Sequence, residues 1–280
     1  MALLQVNYMS QALWRIVPLQ VILPADKADT EGNLLPMRKY KTLYLLGGMH
    51  GSQNDWVVNT RIRIWAEERN LAVVMPAGEN SFYVDQEDDH RRYGEFIGRE
   101  LVEITRRMFP LSDKREDTFI GGLSMGGFGA LRAGFKYSDT FSAVISLSGA
   151  LHVFEEDAEN GAKIRDESWA FGRRIFGPAE TAIKSDNNPR ALLDALGKGG
   201  KTDLPKVFMA CGTEDFLLPG NRSLSKALGE HGLDLTYIEA PGNHNWFFWD
   251  TWIKEALEWL PLEEKSAGMD SGNIARKISG

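Results

Sequence analysis

Apolar residues follow two rhythms along this chain: a strict alternation near its start, then short unbroken runs separated by helical stripes. Within residues 3–24, Leu13, Arg15, Val17, Leu19, Val21 and Leu23 alternate with Trp14, Ile16, Pro18, Gln20 and Ile22, which predicts a β-hairpin or a pair of edge strands. Pro18 lacks a ladder N–H and so favours an edge position. A polar loop over Asp26 to Arg38 leads to Thr42-Leu43-Tyr44-Leu45-Leu46, a short run of the kind found in strands buried on both faces. Leu71 to Met75, residues 118–123, Phe141 to Leu147, residues 206–211 and residues 233–239 repeat that signal.

Helical spacing fills the gaps. One helix is predicted over 55–68, with Val58, Ile62 and Trp65 on its inner face and Asn54 or Asp55 as its cap. A longer one covers 91–108, with Ile97, Leu101, Ile104 and Met108 as its buried stripe. A third, 126–136, is so rich in glycine and alanine that it must pack closely on its neighbour. Others are expected near 165–175, 189–196, 220–231 and 246–260. Strands alternating with helices imply an α/β fold, a mostly parallel sheet covered on both faces, whose functional groups gather at the carboxyl ends of the strands.

Composition narrows the reading. At 280 residues with 43% hydrophobic content, the chain can bury a large core. We read residues 1–262 as a single domain, 151–203 as a cap-like insertion within it, and 263–280 as a polar tail. A net charge of −7 offers no basic footprint for nucleic acid or an anionic membrane. Cys211 is the single cysteine, which excludes an internal disulfide and a cysteine-based zinc site. No apolar run approaches a membrane span, and the N-terminus lacks a signal-peptide core, so a soluble, cytoplasmic protein is expected. Nothing calls for a cofactor. The acidic run Asp85, Glu87, Asp88, Asp89 and His90 reads as a solvated loop rather than a metal site. The pattern is compatible with a homo-oligomer without specifying one.

The chemistry concentrates at Gly122-Leu123-Ser124-Met125-Gly126, where a strand runs into a helix through a G-x-S-x-G turn. Such an elbow holds its serine in a strained, exposed conformation, and the flanking glycines remove side chains that would collide. A serine needs a base to take its proton and a third group to fix the base's tautomer, in the chain order Ser, acid, His. Of five histidines, His244 alone follows the last strand. His50 and His152 sit at strand ends that break the order, His90 opens a helix, and His231 lies at the opposite end of the sheet. The acid should follow the preceding strand, where Asp215 is favoured and Glu214 is a solvated or loop-orienting neighbour. Two backbone donors must face the oxyanion. Met125 supplies one, and the turn Gly47-Gly48-Met49 supplies the other, with Gly48 allowing close approach to substrate. Tyr83 and Trp246 are candidate pocket walls.

Gly122-Leu123-Ser124-Met125-Gly126-Gly127, Ser146-Leu147-Ser148-Gly149-Ala150-Leu151, Cys211-Gly212-Thr213-Glu214-Asp215 and His244-Asn245-Trp246-Phe247-Phe248-Trp249-Asp250 together resemble the tributyrin esterases. Their superfamily also holds S-formylglutathione hydrolases and feruloyl and acetyl-xylan esterases. The resemblance implies an α/β-hydrolase fold and cofactor-independent hydrolysis of short-chain, small-molecule acyl esters by Ser124, Asp215 and His244, with oxyanion donors at the Met49 and Met125 amides. The chain departs from the family at Gly47, where relatives often carry histidine. It also has no cysteine in that loop, and it has Phe128 where the S-formylglutathione hydrolase branch carries histidine. Glutathione thioester hydrolysis, acyl transfer on the same scaffold and a non-catalytic binding module stand as the alternatives.

Overall fold

The computed structural model describes residues 1–29, 31–86, 90–154, 169–198 and 203–262. The tail from Glu263, Glu87 to Asp89, and Gly199 and Gly200 lie outside the described residues. The main sheet comprises β1 (Ala2–Ser10), β2 (Arg15–Leu23), β3 (Thr42–Leu46), β4 (Ala72–Pro76), β5 (Thr118–Leu123), β6 (Ala143–Leu147), β7 (Lys206–Gly212) and β8 (Leu235–Ala240). Their spatial order is β1-β2-β4-β3-β5-β6-β7-β8. The first two strands form an antiparallel hairpin that joins β4 antiparallel, and every other pairing is parallel. The chain steps from β3 outward to β4, then back across to β5. The crevice between β3 and β5 is therefore the switch point at which α/β sheets bind ligands.

Alternation within the buried strands feeds two cores. Tyr44, Leu46 and Ile120 face one side, with the helix Met125–Lys136 and the segment around Ile97 and Leu101. Leu43, Leu45 and Phe119 face the other, with Trp56, Trp65 and the final helix Trp246–Trp259. This is the α/β-hydrolase arrangement of helix layers around a mostly parallel sheet.

Several local expectations are corrected. The predicted helix 55–68 is two, Asp55–Asn59 and Ile62–Glu68. The Thr60 hydroxyl donates to the Trp56 carbonyl and accepts the Ile62 N–H, which ends one helix and starts the next. The break rotates Val58 outward to 75% exposure, and Trp56 is buried instead. The Asn54 side chain makes no cap bond and accepts from Gln20. The helix over 91–108 contains a π-turn, Phe96–Glu100, between Tyr93–Glu95 and Leu101–Met108. A wider turn shifts the phase of the buried stripe. Thr105 is therefore buried, bonding the Tyr44 hydroxyl at 2.9 Å, while Met108 is 42% exposed. Pro18 lies on an interior strand, yet pairing of β2 with β4 begins only at Leu19, so no partner on that side meets the missing N–H.

Within the segment 151–203, Trp169–Phe176 and Pro189–Lys198 are helical. Phe176 and Phe154 pack edge-on against each other and contact Phe128 of the Met125–Lys136 helix. A charged cluster adds a second tether. Arg132, with its side chain only 1% exposed, sits 3.7 Å from Asp85 and 3.6 Å from Asp186, and Lys136 reaches Asp186 at 2.6 Å.

Candidate active site

Ser124 stands between β5 and its helix with φ 52° and ψ −119°, a conformation that an L-residue adopts only under constraint. The constraint is visible around it. The Ser124 N–H donates to Leu147, and the Ser124 carbonyl accepts from Phe128 and Ala150. A Cβ at Gly122 would lie 2.5 Å from the Gly126 backbone, and one at Gly126 would lie 2.5 Å from the Leu46 carbonyl. The turn therefore closes only with glycine at both positions.

His244 and Asp215 arrive from the ends of β8 and β7. The His244 Nδ1 lies 2.9 Å from Asp215 Oδ2, and its Nε2 lies 3.1 Å from Ser124 Oγ. Asp215 is 4% exposed, and burial alone would raise its carboxyl. Hydrogen bonds from His244, the Leu217 N–H and Ser148 outweigh that, so it titrates below the usual range and stays a carboxylate at neutral pH. A carboxylate only accepts, which places the imidazole proton on Nδ1 and leaves Nε2 to accept from the serine hydroxyl. Trp249 Nε1 donates to Ser148 Oγ at 3.1 Å, and this aims the Ser148 proton toward Asp215.

Glu214 orients the loop, one of the two roles expected of it. It accepts from the Gly242 N–H and the Thr213 hydroxyl, and these bonds hold its carboxyl below the usual range. The turn carrying His244 is thereby pinned to the loop carrying Asp215. Burial, aided by the nearby Asp215 charge, pushes the Cys211 thiol up to about 12, so it is no competing nucleophile.

The Gly47-Gly48-Met49 loop follows β3. A Cβ on Gly48 would sit 3.5 Å from the Ser124 Cβ, so the loop passes directly beside that serine. Met125 is the first residue of its helix, where the N–H has no intrahelical acceptor. Three side chains fix the loop from behind. Trp56 Nε1 donates to the Leu46 carbonyl at 3.0 Å, Tyr83 donates its hydroxyl to the Gly47 carbonyl at 2.9 Å, and Asn80 accepts the His50 N–H. Tyr83 is corrected from its expected place: it is 0% exposed and props the loop from below, so it cannot wall a substrate pocket. Trp246 is half-buried and packs edge-on to Trp56 and Trp249, while Trp249 meets the imidazole.

The remaining candidates lie elsewhere. His231 bonds Ala227 and Asp194, His90 stacks on Trp14, and Asp85 belongs to the Arg132 cluster. Among the described residues there is no group of His, Cys, Asp and Glu fit to hold a metal, and no helix long and apolar enough to cross a membrane.

An α/β-hydrolase sheet with a serine, imidazole and carboxylate in hydrogen-bonded sequence defines a serine hydrolase, and comparison with known proteins agrees. The family model described as "Putative esterase" matches residues 10–260, and the chain belongs to that family. An acetyl esterase of Caldicellulosiruptor saccharolyticus is 42% identical, over 93% of this chain and 98% of that protein. Two solved structures from Staphylococcus aureus are each 30% identical and cover 92% of this chain and 98% of their own. The fluorophosphonate-binding serine hydrolase F has a TM-score of 0.78, and an S-formylglutathione hydrolase 0.77. The protein is an esterase, a serine hydrolase acting on carboxylic esters.

Proposed function

We propose that Ser124, His244 and Asp215 are the catalytic residues and that the preferred substrates are short-chain acyl esters, acetyl esters foremost. The observation that carries this reading is the unbroken hydrogen-bond sequence from Asp215 through His244 to Ser124 beside the Gly48 loop. Ser124 Oγ attacks the ester carbonyl while His244 Nε2 takes its proton. The carbonyl oxygen becomes an oxyanion facing the Met49 and Met125 N–H groups. Collapse breaks the bond to the alcohol, which leaves with the proton from Nε2, and the acyl group stays on Ser124. Water then adds to the acyl-enzyme with Nε2 again as base, releasing the acid. Asp215 holds the tautomer and stabilises the imidazolium without itself taking the proton.

The acetyl preference is supported by the 42% identical relative, which is named for that activity. Thioester hydrolysis is the second reading, supported by the 30% identical solved structure named an S-formylglutathione hydrolase. The insertion 151–203 acts as the cap that sets substrate choice, within one domain of a cytoplasmic protein. Ser124→Ala tests the assignment. It should abolish p-nitrophenyl acetate hydrolysis and fluorophosphonate labelling while leaving the circular dichroism spectrum intact. Undiminished turnover would overturn it.

A further inference from the structure

Phe216 follows Asp215 directly and points the opposite way. Asp215 and Leu217 are buried, whereas Phe216 is 71% exposed. The loop fixes that alternation through the Leu217 N–H to Asp215 Oδ1 and the Leu218 N–H to the Asp215 carbonyl. A lone exposed aromatic means little by itself. The position of this one matters, because its ring centroid lies 4.9 Å from that of His244, tilted by 55°. A second aromatic neighbour of the imidazole, Trp249, is buried and perpendicular to it, again at 4.9 Å. Trp249 thus packs the histidine from inside, and Phe216 keeps most of its ring in solvent, where it adds little to the core.

His244 Nε2 is the group that hands a proton to the departing alcohol. During acylation the first carbons of that alcohol are bonded to the oxygen that Nε2 protonates, so they lie close to the imidazole that Phe216 flanks. The acyl group is held on the other side of the reacting carbon, by Ser124 and the oxyanion loop. We propose that Phe216 is a specificity-determining residue that lays an aromatic surface along the alcohol half of the ester and favours alcohols carrying a ring. The ring is an aryl group or the apolar face of a pyranose, since both offer a flat apolar surface to an aromatic side chain.

This inference rests on the Ser124 acyl-enzyme reading and has a test of its own. With acetyl fixed as the acyl group, kcat/KM is measured for ethyl acetate, benzyl acetate and a 6-O-acetyl methyl glucopyranoside in wild type, Phe216→Ala and Phe216→Tyr. In the alanine variant the benzyl-to-ethyl ratio, the pyranoside-to-ethyl ratio, or both should fall by about tenfold, and tyrosine should restore them. The ratio that falls identifies which ring the surface serves.

The two half-reactions supply a second readout. All these substrates give the same acetyl-enzyme, from which the alcohol has already gone. Rapid-mixing bursts should therefore show acylation by benzyl acetate slowed far more than deacylation. Equal slowing of both steps, or unchanged ratios, would overturn the proposal and leave Phe216 as packing for His244. Hydrolysis surviving in Ser124→Ala would instead overturn the underlying reading, so the two failures are distinguishable.

Discussion

Removing one oxygen atom at Tyr83 separates support of the proposed oxyanion loop from support of the fold. The phenol is fully buried, and burial pushes its ionisation far above the usual range, so it is a hydroxyl donor at any working pH. It donates to the Gly47 carbonyl at 2.9 Å, immediately before the Gly48-Met49 turn. Tyr83→Phe keeps the ring, which fits against Gly129, and leaves that carbonyl without its donor. An unsatisfied buried acceptor costs about 1–3 kcal/mol of stability. Complete loss of one oxyanion donor costs roughly a hundred- to a thousandfold in kcat. Here the donor is displaced rather than deleted, so kcat should fall by about ten- to a hundredfold, in the same sense as that principle. Ground-state binding does not use the hole, so KM should stay nearly constant. Steady-state hydrolysis of p-nitrophenyl acetate and urea unfolding are measured on the same preparation. A variant that loses the expected stability yet keeps kcat within about twofold of wild type would refute the reasoning and reduce Tyr83 to a core residue.

Other variants probe other parts of the site and scaffold. Asp215→Asn should lower kcat by about a thousandfold or more with little change in KM, because the amide no longer enforces the Nδ1–H tautomer; steady-state kinetics checks this. Gly126→Ala forces a methyl group to within 2.5 Å of the Leu46 carbonyl and should leave little folded, soluble protein, as read by thermal melting. Burial would raise Asp186, but the Lys136 hydrogen bond and the Arg132 charge hold it below the usual carboxylate range. A depressed folded-state value contributes stability above the ordinary aspartate value of about 3.9 and loses it as pH falls through the folded value. The urea midpoint of wild type should therefore exceed that of Asp186→Asn at neutral pH, and the gap should close below about pH 4.

Strands were legible wherever burial on both faces made apolar runs unbroken, as at Leu43 to Leu46 and Val73 to Met75. The meeting of Ser124, Asp215 and His244 was legible for a topological reason: each stands just past a parallel strand, and those ends converge. Helix phase was harder. Val58 and Met108 fit a regular 3.6-residue stripe, but a hydroxyl-capped break at Thr60 and a π-turn at Phe96–Glu100 reset it. Neither interruption leaves a hydropathy signal. Tyr83 was misplaced because a loop aromatic can point toward substrate or toward its own backbone, and spacing does not distinguish the two. Phe216 escaped notice beside Asp215, although alternation within a tight loop makes an outward neighbour expected. Arg132 hid in a helix built, apart from Lys136 at its end, of small and apolar residues. Its partners, Asp85 and Asp186, lie on segments distant in sequence, where pairing is a tertiary fact.

β8 has a consequence for how this esterase fails. It is the outermost strand on its side of the sheet, hydrogen-bonded within the sheet to β7 alone, and none of its residues is fully buried. The interior strands β3, β5 and β6 are buried at every position. His244, the proposed base, therefore hangs from a peripheral segment, while Ser124 is clamped at the centre. Opening of such a segment costs less than global unfolding. Detachment of β8 would carry the imidazole away from Ser124 while most of the sheet stayed intact. On heating or in mild denaturant, hydrolysis should stop before the secondary structure is lost, and it should return on cooling. The temperature at which activity disappears then measures the grip on one edge strand rather than the melting of the protein.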